Sequence, residues 1–374
     1  MSTWKVTNDM VDSLSSSKLT GALPAIDGSN LTGVSGFPDT TSANDPATNT
    51  NPAGGVGTVW TNSTSGETYV CTDATTDANV WTNVGAGTGD IVPWQYGGHS
   101  YGYCCGGYHP SAPNQRDTID KYALASSASG TDIANLTVGR YAASSQSSTT
   151  HGYTSGGQSA SAATDIIDKH SFASSSDAVD VGNTTVAGNG RSGQSSETNG
   201  YHSGGSPTTA IEKYPFASDS DATTNANLTA ATGRCFNHSS TGFGYHVNNT
   251  QMDKFSFTSD DDATDVGSLG RAQSSGASAS STTYGYCAGG EPSVNQIDKF
   301  AFASESTVTN VGILTQIVSN TTGSSGRSYG YRHGGRNAPT EYNVIDRWAY
   351  ASDGDASDVG DLSGTMAHTT GNQY

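Results

Sequence analysis

Five side chains in this sequence have the chemistry to hold a ligand: Tyr108, His109, Arg116, Arg336 and Tyr342. Aromatic faces stack on sugar rings, and the planar guanidinium grips carboxylates or phosphates through paired hydrogen bonds. All five fall in segments of one kind, running from a Gly-Gly position to an Ile-Asp-Lys phrase. Those segments hold 11, 9, 5, 2, 6 and 9 residues in chain order, and the five residues occupy the first and the last. The competing reading is an ordinary polar loop surface.

Other chemistry is thin. The turns Asp260-Asp261-Asp262 and Asp353-Gly354-Asp355 offer the oxygen ligands that calcium favours, but without complete EF-hand spacing. Turn formation accounts for them, and no metal site is expected. The nine histidines are dispersed; His151, His202, His246 and His333 sit beside Gly-Tyr pairs and read as core or exposed residues rather than ligands. No G-x-S-x-G, H-E-x-x-H or phosphate-loop motif occurs. The expectation is a protein without catalytic residues or a cofactor. A polysaccharide-cleaving enzyme would need an acidic pair across a cleft, and the sequence points to no such pair.

The elements that must position these residues are repeats. Ile119-Asp120-Lys121-Tyr122, Ile167-Asp168-Lys169-His170, Ile211-Glu212-Lys213-Tyr214, Met252-Asp253-Lys254-Phe255, Ile297-Asp298-Lys299-Phe300 and Ile345-Asp346-Arg347-Trp348 recur at separations of 48, 44, 41, 45 and 48 residues. Each follows a Gly-Tyr pair ending at Tyr103, Tyr153, Tyr201, Tyr245, Tyr286 or Tyr331. Short β-rich runs, glycine turns and a period of about 40 to 50 predict an all-β chain ending in a six-bladed β-propeller. Four strands are expected per repeat; in the fifth they fall at 272–278, 283–289, 297–303 and 309–314. Asp298, Phe300 and Phe302 share one face of the third strand, so the aromatics should pack on the adjacent blade. The first repeat lacks a first strand and the C-terminus carries an orphan, Gly364 to Tyr374, which should complete it and close the ring. Closure would bring the three longest loops into one sector of one face. Seven blades would require Asp90–Gly98 to begin another.

Ahead of the propeller, at 91–374, three regions separate by composition: 1–36, mildly helical from Val6 to Leu19; 37–55, a Pro-, Asn- and Thr-rich linker; and 56–90, a small β module with a hinge at Gly85 to Gly89. A formal charge of −18 disfavours nucleic acid and anionic membranes as partners. No stretch is long and apolar enough to span a bilayer, and the N-terminus lacks a signal-peptide core. The five cysteines show no disulfide or metal spacing; Cys104 and Cys287 take equivalent places after Gly-Tyr and read as buried fillers.

The Gly-Gly pattern with a trailing aromatic strand resembles kelch-type propellers, without their regular blade tryptophan. The fuller phrase, Ile297-Asp298-Lys299-Phe300-Ala301-Phe302-Ala303-Ser304 followed by Val311-Gly312-Ile313-Leu314, resembles kelch-like repeats in virion proteins of marine bacteriophages. The tract from Ser17-Lys18-Leu19-Thr20-Gly21 through Thr32-Gly33 is similar to attachment regions of phage tail-fibre and structural proteins. The unit holding Gly57-Thr58-Val59-Trp60 and Asn79-Val80-Trp81 resembles small β modules of the same proteins. The resemblance covers almost the whole chain. One departure is Asn248-Asn249, where Gly-Gly is expected. The resemblance implies a virion location and an appendage of tail-fibre type, docked to other virion proteins through residues 1–36. It also implies a homotrimer assembled there, and a propeller that binds a host surface receptor, a glycan in class. The alternative is a decoration protein of capsid or tail contacting other virion subunits.

Overall fold

The computed structural model describes residues 38–84, 90–91, 93–111, 113–205, 207–248, 251–270, 273–305 and 308–373. The expected docking segment, 1–36, and Asn249 lie outside the described residues. Every regular element described is a strand, and the chain divides into two compact units, Met1–Pro93 and Trp94–Tyr374.

The first unit is a four-stranded sheet ordered Thr40–Ser42, Val59–Asn62, Thr68–Asp73 and Val80–Asn83. Its first pair is parallel and the others are antiparallel. The linker expected at 37–55 is corrected: from residue 38 onward it supplies an edge strand and a loop tied into the sheet. The Asp39 carboxylate accepts from Val59 N–H at 2.8 Å, Trp60 Nε1 donates to the Asn44 carbonyl at 2.9 Å, and Asn51 Nδ2 donates to Asp77 at 2.8 Å. Short polar side chains look like linker composition, yet here they satisfy backbone and side-chain groups at a distance. Tyr69, Cys71 and Trp81 are buried beneath them.

In the second unit the described strands form six four-stranded antiparallel sheets and one short hairpin, Arg336–Asn337 with Thr340–Glu341. The arrangement is propeller-like. Four sheets are built from consecutive strands and a fifth from strands interrupted only by that hairpin; the sixth combines Thr370–Gln373 with Tyr101–Tyr108, Gln115–Ala123 and Thr131–Asn135. Asn372 lies opposite Tyr103 in that pairing, filling the place for which the first repeat has no strand of its own. Asp90–Gly98 adds no strand among the described residues; Gly98 makes one isolated bridge to Gly326.

Each residue of the recurring phrase has a separate task. The isoleucine is buried in its own sheet's cluster, as Ile297 is beside Leu314 and Trp348. The acidic residue is buried, and in five of the six repeats it clasps the preceding repeat, accepting from both the N–H and the hydroxyl of a threonine or serine. Those hydroxyls lie 2.7, 2.6, 2.7 and 2.5 Å from Asp168, Glu212, Asp253 and Asp346, donated by Thr137, Thr185, Thr229 and Thr315. Ser363 of the sixth repeat clasps Asp120 of the first in the same way, at 2.7 Å. The lysine points to the following repeat: Lys169, Lys213, Lys254 and Lys299 pair with Asp219, Asp260, Glu305 and Asp353.

The first aromatic of the phrase covers the glycine of Gly-Tyr. A Cβ on Gly200 would sit 2.5 Å from the Tyr214 ring, and Gly285 and Gly330 face Phe300 and Trp348 as closely. The second aromatic stacks on the tyrosine of the preceding repeat, with centroids 4.9, 4.9, 4.8, 5.0 and 4.8 Å apart in five successive pairs from Tyr103–Phe172 to Tyr286–Tyr350. Tyr331 of the sixth repeat packs on Tyr122 and Leu124 of the first. The packing expected for Phe300 and Phe302 is therefore present, against Tyr245.

Three carboxylates also meet arginine inside the fold. Arg140–Asp168 and Arg332–Asp346 are 2.9 and 2.8 Å apart with both side chains fully buried, and Arg191–Glu212 is 2.6 Å. Removing one partner strands the other charge without water. Asp346→Ala should cost about 3–5 kcal/mol of unfolding free energy, whereas Lys299→Ala, at a half-exposed pair, should cost under about 1 kcal/mol. Urea unfolding of the two variants measures the contrast; equal losses would contradict it.

Candidate functional site

The candidate site is built where the sheets' first strands converge. Ser144–Ser147, Ser192–Ser195, Phe236–Ser239, Ala277–Ser280, Thr322–Ser325 and Thr370–Gln373 lie side by side in that order, and the last also touches the first. Two cycles of hydrogen bonds tie them together. In one, the residue at the start of each strand adopts a left-handed backbone: Ala142, Gly190, Arg234, Ser275, Asn320 and His368 have φ between 50° and 67°. Backbone bonds run around the axis through these residues: Ala142 N–H donates to His368 O, Gly190 to Ala142, Arg234 to Gly190, Ser275 to Arg234, Thr321, next to Asn320, to Ser275, and His368 to Asn320 O, at 2.6 to 3.3 Å.

The second cycle runs deeper and uses side chains as acceptors. The amides of Ser147, Ser195, Ser239 and Ser280 donate to the hydroxyls of Ser195, Ser239, Ser280 and Ser325 at 2.9, 3.0, 3.3 and 2.9 Å. Ser325 N–H donates to the Gln373 side-chain oxygen at 3.4 Å, and Gln373 N–H returns to the Ser147 hydroxyl at 3.1 Å. The strands approach so closely that a Cβ on Gly193 or Gly371 would collide with the neighbouring carbonyl. Small polar residues are thus required on the axis by space and by hydrogen bonding together.

One mouth of this axis is a depression of ≈ 80 Å³. Arg234, Asn237, Ser275, Asn320 and His368 line it, and no carboxylate does. Burial, then the charges of Arg234 and Arg336, push the His368 imidazole down to about 3. Two guanidinium groups therefore bear on a neutral ring. Beside the mouth, His368 meets the ring of Tyr141 at 5.6 Å, and Tyr141 meets Tyr108 at 5.5 Å. The opposite mouth is crossed by the unit's first residues: Gly98 N–H donates to Ser325 O at 2.8 Å and Gln373 Nε2 donates to Tyr96 O at 3.3 Å.

The residues singled out by sequence scatter around the open mouth. Tyr108 joins it through Tyr141, and its backbone bonds to Ala367 in both directions. Arg336 joins through its electrostatic effect on His368 and through backbone bonds to Ser319, one residue before the lining Asn320. His109 is spent on its own hairpin, accepting Ser111 N–H at 3.0 Å. Arg116 lies half-buried in the same hairpin, opposite Gly107. Tyr342 packs on the cluster of Leu314, Val318 and Trp348 and serves the core at least in part. Sequence reasoning missed Tyr141, Arg234 and His368. The available signal was their shared place at the start of the small-residue strand of each repeat.

The aspartate-rich turns have structural occupants. Asp260 pairs with Lys213 at 2.7 Å, Asp262 accepts from Asn227 N–H at 2.8 Å, and Asp355 accepts from Ile313 N–H at 3.1 Å. Among the described residues no cluster of three metal-ligating side chains occurs. Cys104 and Cys287 are fully buried and free, and burial raises the Cys104 thiol well above its usual value.

No protein-family model matches the chain. No curated protein matches it either. Among solved structures, that of YjhT is similar, with a TM-score of 0.53 and 9% identity over 64% of this chain and 89% of that one. A likeness at that identity shows the fold alone: an all-β, propeller-like architecture.

His170, His202, His238, His246 and His333 are buried. Burial pushes His202 down to about 4 and the other four to about 3, from 6.5. Because the folded values lie below the unfolded one, the unfolded chain takes up protons first as pH falls. Stability carried by the neutral rings is fully present above pH 6.5 and is lost progressively as pH falls below it toward the folded values. The urea midpoint should drop steeply between pH 6.5 and 5, where ordinary carboxylates stay ionised. A flat profile over that window would contradict the placement of these rings.

Proposed function

We propose that residues 94–374 form a closed six-bladed propeller acting as a non-catalytic binding head, whose open mouth faces a host-surface glycan. Support for closure comes from the two hydrogen-bond cycles, from the pairing of Thr370–Gln373 with the first repeat and from the Ser363–Asp120 clasp. Taken with the resemblance to phage virion proteins, the chain is read as a virion appendage of tail-fibre type, docked through its N-terminal segment.

The observation that carries the binding reading is the run Tyr108–Tyr141–His368 converging with Arg234 and Arg336 on one mouth. Stacking aromatics beside cations suit a saccharide, whose rings present flat C–H faces and whose substituents present oxygens. The propeller's own first residues cross the other mouth, which leaves this face clear of them.

Labelled full-length protein on a glycan panel and on host cells tests the reading. Saturable binding is expected, weakened about 3–10-fold by Tyr108→Ala, since one aromatic stack is worth about 0.5–1.5 kcal/mol. Alanine at Ser148, in a turn at the other end of the sheets, should leave binding unchanged. A folded protein that binds neither glycans nor cells but does bind purified virion subunits would replace this reading with a decoration protein.

A further inference from the structure

The open mouth has a composition at odds with the rest of the molecule. The chain carries a formal charge of −18, yet the lining of the depression brings Arg234 and His368 together without a carboxylate. Arg336 bears on the same imidazole from the neighbouring hairpin. The three deeply buried arginines have acidic partners: Arg140 with Asp168, Arg332 with Asp346, and Arg191, which also lines the depression, with Glu212; Arg234 is exposed and Arg336 half-buried. Among the described residues neither Arg234 nor Arg336 has an ion-pair partner. Arg234 is held in place by the axial cycle: its amide donates to Gly190, its carbonyl accepts from Ser275, and its backbone is left-handed at φ 60°. A non-glycine residue in that region is uncommon, and arginine has no local hydrogen bond that favours it there.

We infer that this mouth is a subsite for one oxyanion substituent of the bound ligand: a sulfate ester, a carboxylate or a phosphate. The inference rests on the reading of this face as the binding face and adds the chemistry it selects. The volume suffices. A water needs about 10–15 Å³ of such space, so the ≈ 80 Å³ depression admits a tetrahedral oxyanion. Donor-bearing residues line it: Arg234, Ser275 and Thr322, with Asn237 and Asn320, whose side-chain amides already donate to Gly193 O and Ser319 Oγ and keep one N–H each. The ligand's ring would then lie over Tyr141 and Tyr108, which continue from His368 in a run of ring contacts. Selectivity follows from the pairing of a fixed cation with a stacking platform: a neutral saccharide gains the stack alone, whereas an acidic one gains both.

The test uses the full-length protein and two probe sets. Inorganic sulfate, phosphate and acetate are titrated calorimetrically at low ionic strength, and sulfated, uronate-bearing, phosphorylated and neutral polysaccharides are compared on a surface. One anion class should be held saturably, and its polysaccharide should bind at least tenfold more tightly than the neutral one; the preferred arm identifies the source. Arg234→Asn, chosen because asparagine tolerates the left-handed backbone, should weaken both by about tenfold, the loss of a charge-assisted contact of about 1.5 kcal/mol. Arg336→Gln, outside the axial cycle, should weaken them in the same direction and keeps the test open should Arg234→Asn fail to fold. If neutral and acidic polysaccharides bind alike and neither variant changes them, the subsite is overturned while the binding face stands. If sulfate or phosphate is held and lost on substitution but no polysaccharide binds, the subsite stands and the glycan reading fails. No saturable binding of any anion overturns the inference outright.

Discussion

Five of the six sheets in the second unit are held to a neighbour by a buried carboxylate that accepts two hydrogen bonds from the repeat before it. The clasp from Asp168 to Thr137, repeated at Glu212, Asp253, Asp346 and Asp120, satisfies an amide and a hydroxyl that would otherwise be stranded in the interface. Hydrogen bonds to an ionised acceptor are about twice as strong as neutral ones, and these are shielded from water. The clasp fixes how far one sheet can rotate on the next, and the Tyr–Phe stacks and lysine pairs then follow in register. A core poor in large aliphatic residues can be sustained because the interfaces repeat a polar latch and an aromatic stack.

That economy explains an unusual composition. Only 33% of residues are hydrophobic, and the axis is lined by serine, threonine, glycine and asparagine. Branched side chains would not fit where Gly193 and Gly371 meet neighbouring carbonyls. The hydroxyls that do fit carry the second cycle, in which each serine amide is satisfied by the next repeat. Residues that look like low-complexity filler are therefore the inner wall. The lining of the open mouth sits on that wall, so Arg234 and His368 inherit their positions from the same hydrogen bonds that hold the strands together.

The outer parts of each repeat were legible because they alternate. Glycine before tyrosine, the buried acid and the paired aromatics all follow the two-residue period of a strand. The first strands were not: in the fifth repeat the strand expected at 272–278 runs from Ala277 to Ser280, after a left-handed turn at Ser275. Alanine, arginine, serine, asparagine, histidine and glycine all occupy that turn, so residue type carried no sign of it. The linker misreading has the same origin, since Asp39, Asn44 and Asn51 make distant hydrogen bonds that composition does not reveal. Loop length singled out Tyr108 and Arg336, which lie beside the mouth. It could not find Tyr141, Arg234 and His368, which come from different repeats and meet only when the inner strands are brought side by side.

The account's central claim is that the inner strands form one continuous ring, with Gln373 linking Ser325 to Ser147. Amide hydrogen exchange of the full-length protein tests it most directly. The amides of Ser147, Ser325 and Gln373 should share the slow exchange of Ser195 and Ser239, because the cycle opens only as a whole. Fast exchange at Gln373 and along Tyr101–Tyr108, with slow exchange elsewhere, would show a free edge where the ring requires a closed seam.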